Sequence, residues 1–164
     1  MTHVDVTAEL YTPFLREAIR LSRTRMRQDR GGPFGAVVVR DSVIVARGWN
    51  AVTSSLDPTA HAEVVAIRRA CRKLETFRLD GCVLYSSCEP CPMCLAAVYW
   101  ARLDRLVYAA TRDDAARAGF DDARIYRELP LAPEARSLHT DHLLRAEAIA
   151  VLEEWLAKPD KVAY

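Results

Sequence analysis

Asp57-Pro58-Thr59-Ala60-His61-Ala62-Glu63 and Ser87-Cys88-Glu89-Pro90-Cys91-Pro92-Met93-Cys94 are the two stretches on which the reading of this chain turns. Each lies where a polar, turn-forming segment gives way to helical periodicity. Val64, Ile67, Cys71 and Leu74 follow the first at helical spacing. Cys91 to Ala101 follows the second, with Pro92 tolerated in the opening turn. His61, Cys91 and Cys94 are good ligands for Zn²⁺, and a centre with three protein ligands keeps its fourth tetrahedral position for water, as catalytic zinc sites do. Glu63, two residues past the histidine, then stands beside that water instead of on the metal. The partial positive charge of two helix starts favours thiolates at Cys91 and Cys94.

Cys88 supplies the structural alternative. Three residues before Cys91, it could close a four-ligand zinc knuckle with His61, Cys91 and Cys94. Placed at the end of a strand, it points away from the metal and leaves the shell open. Cys71 and Cys82 read as small buried hydrophobes.

Outward from these blocks, the first helix is expected to begin near Thr12-Pro13, where Thr can cap and Pro suits the first turn. Leu10, Phe14, Ala18 and Leu21 form its inner face, and Gly31-Gly32-Pro33 stops it. Gly35 to Val39 and Val43 to Ala46 are β-branched runs around the polar turn Arg40-Asp41-Ser42, a hairpin pattern. A loop runs from Asn50 to Thr59. Cys82 to Ser86 and Leu106 to Ala109 read as the third and fourth strands. Thr111 to Pro133 is polar and turn-rich, with a short helix near Arg124 to Glu128. A last helix, about Asp141 to Ala157, turns Leu144, Ala148, Val151 or Leu152, and Trp155 inward, and Pro159 ends it. Alternating strands and helices after an opening hairpin imply an α/β fold, a mixed central sheet covered by helices.

At 164 residues, 51% apolar and 27% charged, the chain fits a single domain, 1–164, with a core of its own. No apolar run is long enough to cross a bilayer, and no basic flank precedes an apolar core at the N-terminus, so a cytoplasmic protein is expected. Five cysteines, an odd number with three bunched at 88, 91 and 94, fit a reducing compartment. Net charge is +1, from 23 basic and 22 acidic residues, which argues against nucleic acid as the partner. Arg16, Arg20, Arg23, Arg27 and Arg30 make one helical stripe, read as a solvated face.

The H-x-E…P-C-x-x-C pattern is that of the zinc nucleobase deaminases. Displacing an exocyclic amine from an aromatic ring needs a nucleophile stronger than water and a proton for the departing nitrogen. Zinc supplies the first. A carboxylate off the metal, here Glu63, supplies the second.

Over nearly its whole length the chain resembles the bacterial guanine deaminases of the cytidine-deaminase superfamily. The matching stretches are Gly31-Gly32-Pro33-Phe34-Gly35-Ala36, the two metal blocks, Tyr99-Trp100-Ala101-Arg102, and Ala118-Gly119-Phe120-Asp121-Asp122. Only the metal blocks are common to the superfamily; Gly119-Phe120-Asp121-Asp122 and a basic tail ending in Tyr164 point to guanine. The resemblance implies a three-layer α-β-α sandwich, one Zn²⁺ per subunit, and hydrolysis of guanine to xanthine and ammonia. It implies a homodimer in which the C-terminal helix and tail, 141–164, are exchanged between subunits. It also implies that Asn50 and Ala62 hold the purine, that Asp122 meets the amino group and assists proton movement, and that Phe34, Trp100 and Tyr164 enclose the ring. Attack falls on C2, with Glu63 protonating N3.

Taken without the resemblance, Phe34 and Trp100 are equally core residues, Asp121 and Asp122 a helix cap, and Tyr164 a frayed end. Rival functions are deamination of guanosine, cytosine, an aminotriazine or tRNA adenosine, and a non-catalytic zinc-stabilised binding module.

Overall fold

The computed structural model describes residues 6–163. The chain divides into two compact units, with the boundary between Asp122 and Ala123.

The first unit is built on a four-stranded sheet of β1 (Gly35–Arg40), β2 (Val43–Trp49), β3 (Cys82–Cys88) and β4 (Arg105–Ala110), in the order β2-β1-β3-β4. β1 runs antiparallel to β2 and to β3, and β3 runs parallel to β4, so the sheet is mixed. The hairpin turn falls at Asp41 and Ser42, both at positive φ (50° and 59°), the conformation that matches the twist of two paired strands.

Central strand β1 reads Gly-Ala-Val-Val-Val and is buried on both faces, because helices cover both. On one face Val37, Val39 and Tyr85 pack with Leu21 of α1 (Val6–Arg27). On the other, Ala36, Val38, Cys82 and Leu84 pack with Ala62, Ala66, Ile67 and Ala70 of α3 (Ala62–Leu74) and with Val98 of α4 (Pro92–Trp100). Helix, sheet and helices make the helix-covered mixed sheet that the strand pattern predicts and the three-layer α-β-α sandwich that the resemblance implies.

α1 starts earlier than Thr12-Pro13. Pro13 sits inside it on the exposed side, where the carbonyl that loses its partner can turn to water. Phe14, Ala18 and Leu21 do face the sheet, but Leu10 is exposed. All five stripe arginines are exposed, and Arg20 pairs with Glu17, which also holds Arg47 at 2.7 Å. Two elements of this unit go beyond the sequence reading. A single turn, α2 (Val52–Ser55), forms within the expected loop, and α5 (Arg112–Arg117) opens on a capping box in which Thr111 and Asp114 satisfy each other's backbone N–H.

The second unit holds α6 (Ala123–Glu128), a 3-10 turn (Pro133–Ala135) and α7 (Arg145–Ala157). α7 starts four residues later than expected because Leu144 adopts a left-handed conformation, φ 55°. The inward face expected for it is not found: Leu144, Ala148, Val151, Leu152 and Trp155 are all exposed, because no element of its own unit covers the helix. Among the described residues no helix is long and apolar enough to cross a membrane.

Candidate active site

The two helix starts meet. His61 is the N-cap of α3 and Cys91 the N-cap of α4, both in extended backbone, and Cys94 lies in the first turn of α4. Strand β2 holds the start of α3 in place through Gly48: a Cβ there would lie 2.1 Å from the Ala62 carbonyl oxygen and 2.5 Å from the Ala66 nitrogen. β3 delivers the chain to Cys91 through Glu89, whose N–H donates to Ala110 at the end of β4 (2.8 Å) and whose carboxylate accepts from the Arg112 N–H (3.0 Å).

His61 Nδ1 lies 3.6 Å from Cys91 Sγ and 3.6 Å from Cys94 Sγ, and all three ligand atoms fall within 4.8 Å of one another. With Zn–N about 2.05 Å and Zn–S about 2.3 Å, a tetrahedral N-to-S edge is about 3.6 Å, so the spacing is that of ligands around one ion. The donor set, one imidazole and two sulfurs, is equally what zinc takes. Among the described residues this is the one such group of ligand atoms. Cys88 does not join it. Its buried thiol donates to the Thr111 carbonyl at 3.4 Å, away from the cluster, as the sequence led us to expect.

The electrostatics favour a cation. The Cys91 thiol is held down to about 4, first by the hydrogen bond from Cys94 and then by that from His61. Cys94 is pushed up, first by Cys91 and then by burial. His61 is raised, chiefly by Cys91. A divalent ion resolves the conflict by letting both sulfurs ionise.

Glu63 is buried beside the cluster. Its Oε2 lies 3.4 Å from Cys94 Sγ, and its Oε1 accepts from Ser86 Oγ at 2.8 Å. Burial pushes its carboxyl above the ordinary range despite the Ser86 bond. Asp122 is raised too, first by burial and next by the negative charge of Cys91, which places it in the field of the cluster.

Asn50 is buried, and its Oδ1 accepts from the Gly32 N–H (3.0 Å) and the Val52 N–H (3.3 Å). Gly31, at φ 149°, makes room for it: a Cβ would lie 2.2 Å from the Asn50 carbonyl oxygen. The preceding ring, Trp49, is sandwiched between the guanidinium groups of Arg25 (4.2 Å) and Arg69 (4.0 Å). Phe34 meets Phe120 edge to face, centroids 4.9 Å apart. Phe120 thereby docks the loop that carries Asp122. Ala62 is fully buried in the first turn of α3, where N–H groups have no partner within the helix.

Trp100 is a different matter. It is 63% exposed and ends the helix that Cys91 begins, about 13 Å away along the axis, so a single chain does not bring it to the ligands. Tyr164 lies outside the described residues. Ser86 joins the site without having been singled out from the sequence, and Phe120, quoted only as part of the stretch that carries the resemblance, joins it through a contact not foreseen. Nothing in the H-x-E pattern says which side chain will meet the glutamate, and an exposed-looking Phe between Gly and Asp gives no sign of its partner.

Residues 9–110 match the family model of the cytidine and deoxycytidylate deaminase zinc-binding region, and that match contains all three ligands and Glu63. The chain belongs to this deaminase family. It is a zinc-dependent nucleobase deaminase by family, ligand set and geometry together. This deaminase is 48% identical over 151 residues to the guanine deaminase of Bacillus subtilis, a match covering 92% of this chain and 97% of the relative. The crystal structure of a Bacillus subtilis guanine deaminase superposes with a TM-score of 0.91 at 46% identity, covering 100% of this chain and 99% of the other. A guanine deaminase from Nitrosomonas europaea gives a TM-score of 0.64 at 36% identity over 88% of this chain and 84% of the other. Likeness to the tRNA-specific adenosine deaminase of Aquifex aeolicus is 39% over 97 residues, 59% of this chain and 64% of that one.

Proposed function

We propose that this deaminase converts free guanine and water to xanthine and ammonia. The observation that carries the reading is the buried Glu63 carboxylate beside a three-ligand zinc cluster, in a chain alike to a guanine deaminase along 92% of its length rather than at the metal blocks alone. When bound at His61, Cys91 and Cys94, zinc supplies an acidified water, its pKa brought to about 7.

Glu63 takes one proton of the attacking water at Oε2 and delivers it to N3 of the purine, where it stays in the product. It then carries the second, from the hydroxyl formed on C2, to the departing amine as the C2 carbonyl forms. Asn50 reads the ring with its amide –NH₂, because two backbone N–H groups already occupy its Oδ1. Ala62 offers a helix-start N–H to the same ligand. Asp122 accepts from the N1–H and 2-amino donors that guanine presents side by side, and assists the leaving amine. Phe34, braced by Phe120, forms an apolar wall against the ring and excludes water.

The same reading makes residues 1–164 one functional domain in a homodimer, with 141–164 exchanged between subunits. It has Trp100 and Tyr164 completing the enclosure of the ring, with Tyr164 reaching the partner's site. The uncovered apolar side chains of α7 and of Tyr99 and Trp100 support it. Five cysteines, all free, and a near-neutral charge support a cytoplasmic enzyme of small molecules and argue against nucleic acid as the partner.

The test is ammonia release by the zinc-loaded protein from guanine, guanosine, adenine, cytosine, an aminotriazine and tRNA. Turnover of guanine above the others is expected. Turnover of guanosine or tRNA with guanine inert overturns the substrate assignment. In the Glu63→Gln variant zinc and fold are expected to persist while kcat falls by about 10² to 10⁴; undiminished turnover removes Glu63 from its role.

A further inference from the structure

Ser86 has no part in the chemistry above, yet it makes the shortest contact to Glu63. It is fully buried on β3, opposite Ala36 and Tyr108, and the alternation of the strand turns residues 82, 84 and 86 toward α3 and α4. Its hydroxyl has one proton. That proton goes to Glu63 Oε1 at 2.8 Å, while the Cys88 N–H, 3.5 Å away, approaches the lone-pair side of the same oxygen. The direction of the Ser86 bond is therefore set by the strand backbone.

The two carboxylate oxygens of Glu63 differ in what faces them. Oε2 lies on the side of the ligand group, 3.4 Å from Cys94 Sγ. Oε1 faces the Ser86 hydroxyl on β3 instead. We infer that Ser86 is a positioning residue which pins Oε1 and thereby assigns proton traffic to Oε2, the oxygen on the cluster side. This rests on the deaminase reading above and deepens it. A glutamate side chain pivots freely about its last bond, and a proton relay needs one oxygen held within about half an ångström of a productive place. Burial alone would leave the carboxyl in place without choosing its rotation; a fixed donor on one oxygen chooses it.

A hydroxyl whose whole purpose is to satisfy a buried carboxyl would affect fold and zinc content as much as rate. Ser86→Ala, Ser86→Thr and Glu63→Gln should therefore be compared with the parent protein, zinc-loaded, for kcat and KM on guanine, zinc per chain before and after competition with a chelator, and melting temperature. Ser86→Ala is expected to lose about 10- to 100-fold in kcat, the size of a lost hydrogen bond to a charged group that matters in the transition state. Its KM and its zinc retention should stay within about threefold of the parent. Ser86→Thr, which keeps the hydroxyl, is expected to recover kcat to within a few-fold.

Unchanged kcat in Ser86→Ala overturns the inference, and so does a fall in kcat matched by loss of zinc. A Ser86→Thr protein that folds and binds zinc yet is as slow as Ser86→Ala overturns it too. Failure of the underlying reading has a different mark: the parent releases no ammonia from guanine, or Glu63→Gln is as fast as the parent.

Discussion

The two units of this chain solve the problem of apolar surface in opposite ways. In residues 6–122 the sheet is covered by helices on both faces, and every buried side chain among the described residues belongs to this unit. In residues 123–163 none is buried, and Leu138, Leu143, Val151, Leu152 and Trp155 stand exposed. The metal cluster sits in the first kind of environment, at helix starts fixed against a closed core, where a ligand or a carboxylate can be held to a fraction of an ångström. The second unit has no core of its own to hold anything. The exchanged dimer proposed above would give this helix the cover that its own unit lacks.

The largest effect expected from breaking this contrast is at the cluster. Cys91→Ala should lose zinc and activity together, read as zinc per chain and ammonia release, with turnover at background. Retained activity without zinc would show that the metal has no part in turnover. In the core, Leu84→Ala should cost about 2–5 kcal/mol in a denaturant titration, since the residue is fully buried in the sheet. That cost should not depend on protein concentration.

Trp155→Ala tests the other unit. Within one chain an exposed residue should matter by no more than about 0.5 kcal/mol. In an exchanged dimer the same substitution should raise the dimer dissociation constant about tenfold or more in sedimentation velocity, as anchoring tryptophans do. A monomer at every concentration, for variant and parent alike, would dissolve the dimer proposal.

A smaller, pH-dependent effect sits on the α1 side of the sandwich. Glu17 is held down to about 2, first by its bond from Arg20, with Arg47 adding to it. Its folded-state pKa lies below the ordinary 4.5, so its contribution is complete above that pH and is lost as pH falls toward about 2. Both arginines are half exposed, so the contribution at pH 7 should be about 1–2 kcal/mol. Glu17→Gln should show that deficit near neutrality and converge with the parent in acid. A constant deficit across pH would assign it to packing instead.

Much of this contrast is legible in the amino-acid sequence. The strands of the first unit announce themselves as short β-branched runs, and α3 by the period of Val64, Ile67, Cys71 and Leu74, because each buries one face against a neighbour in the same chain. The ligand triad is legible because zinc chemistry restricts both residue type and spacing. Periodicity misleads at α7: Leu144, Val151 and Trp155 have helical spacing, but spacing alone cannot say that a neighbour in the same unit covers that face. α5 escapes the pattern although its cue, Thr111 with Asp114 three residues on, is present; without an apolar stripe behind it, the cap has no helix to announce. The Ser86 bond to Glu63 and the stacking of Arg25 and Arg69 on Trp49 join residues far apart in sequence through tertiary packing, which no local pattern encodes.

The most direct test of the central claim is X-ray absorption at the zinc edge of the loaded protein. An open three-ligand shell predicts two sulfur neighbours at about 2.3 Å and two lighter atoms at about 2.0–2.1 Å, one from His61 and one from solvent. A third sulfur at the same distance would mean that Cys88 closes the shell, and that the site is structural and cannot do the chemistry described.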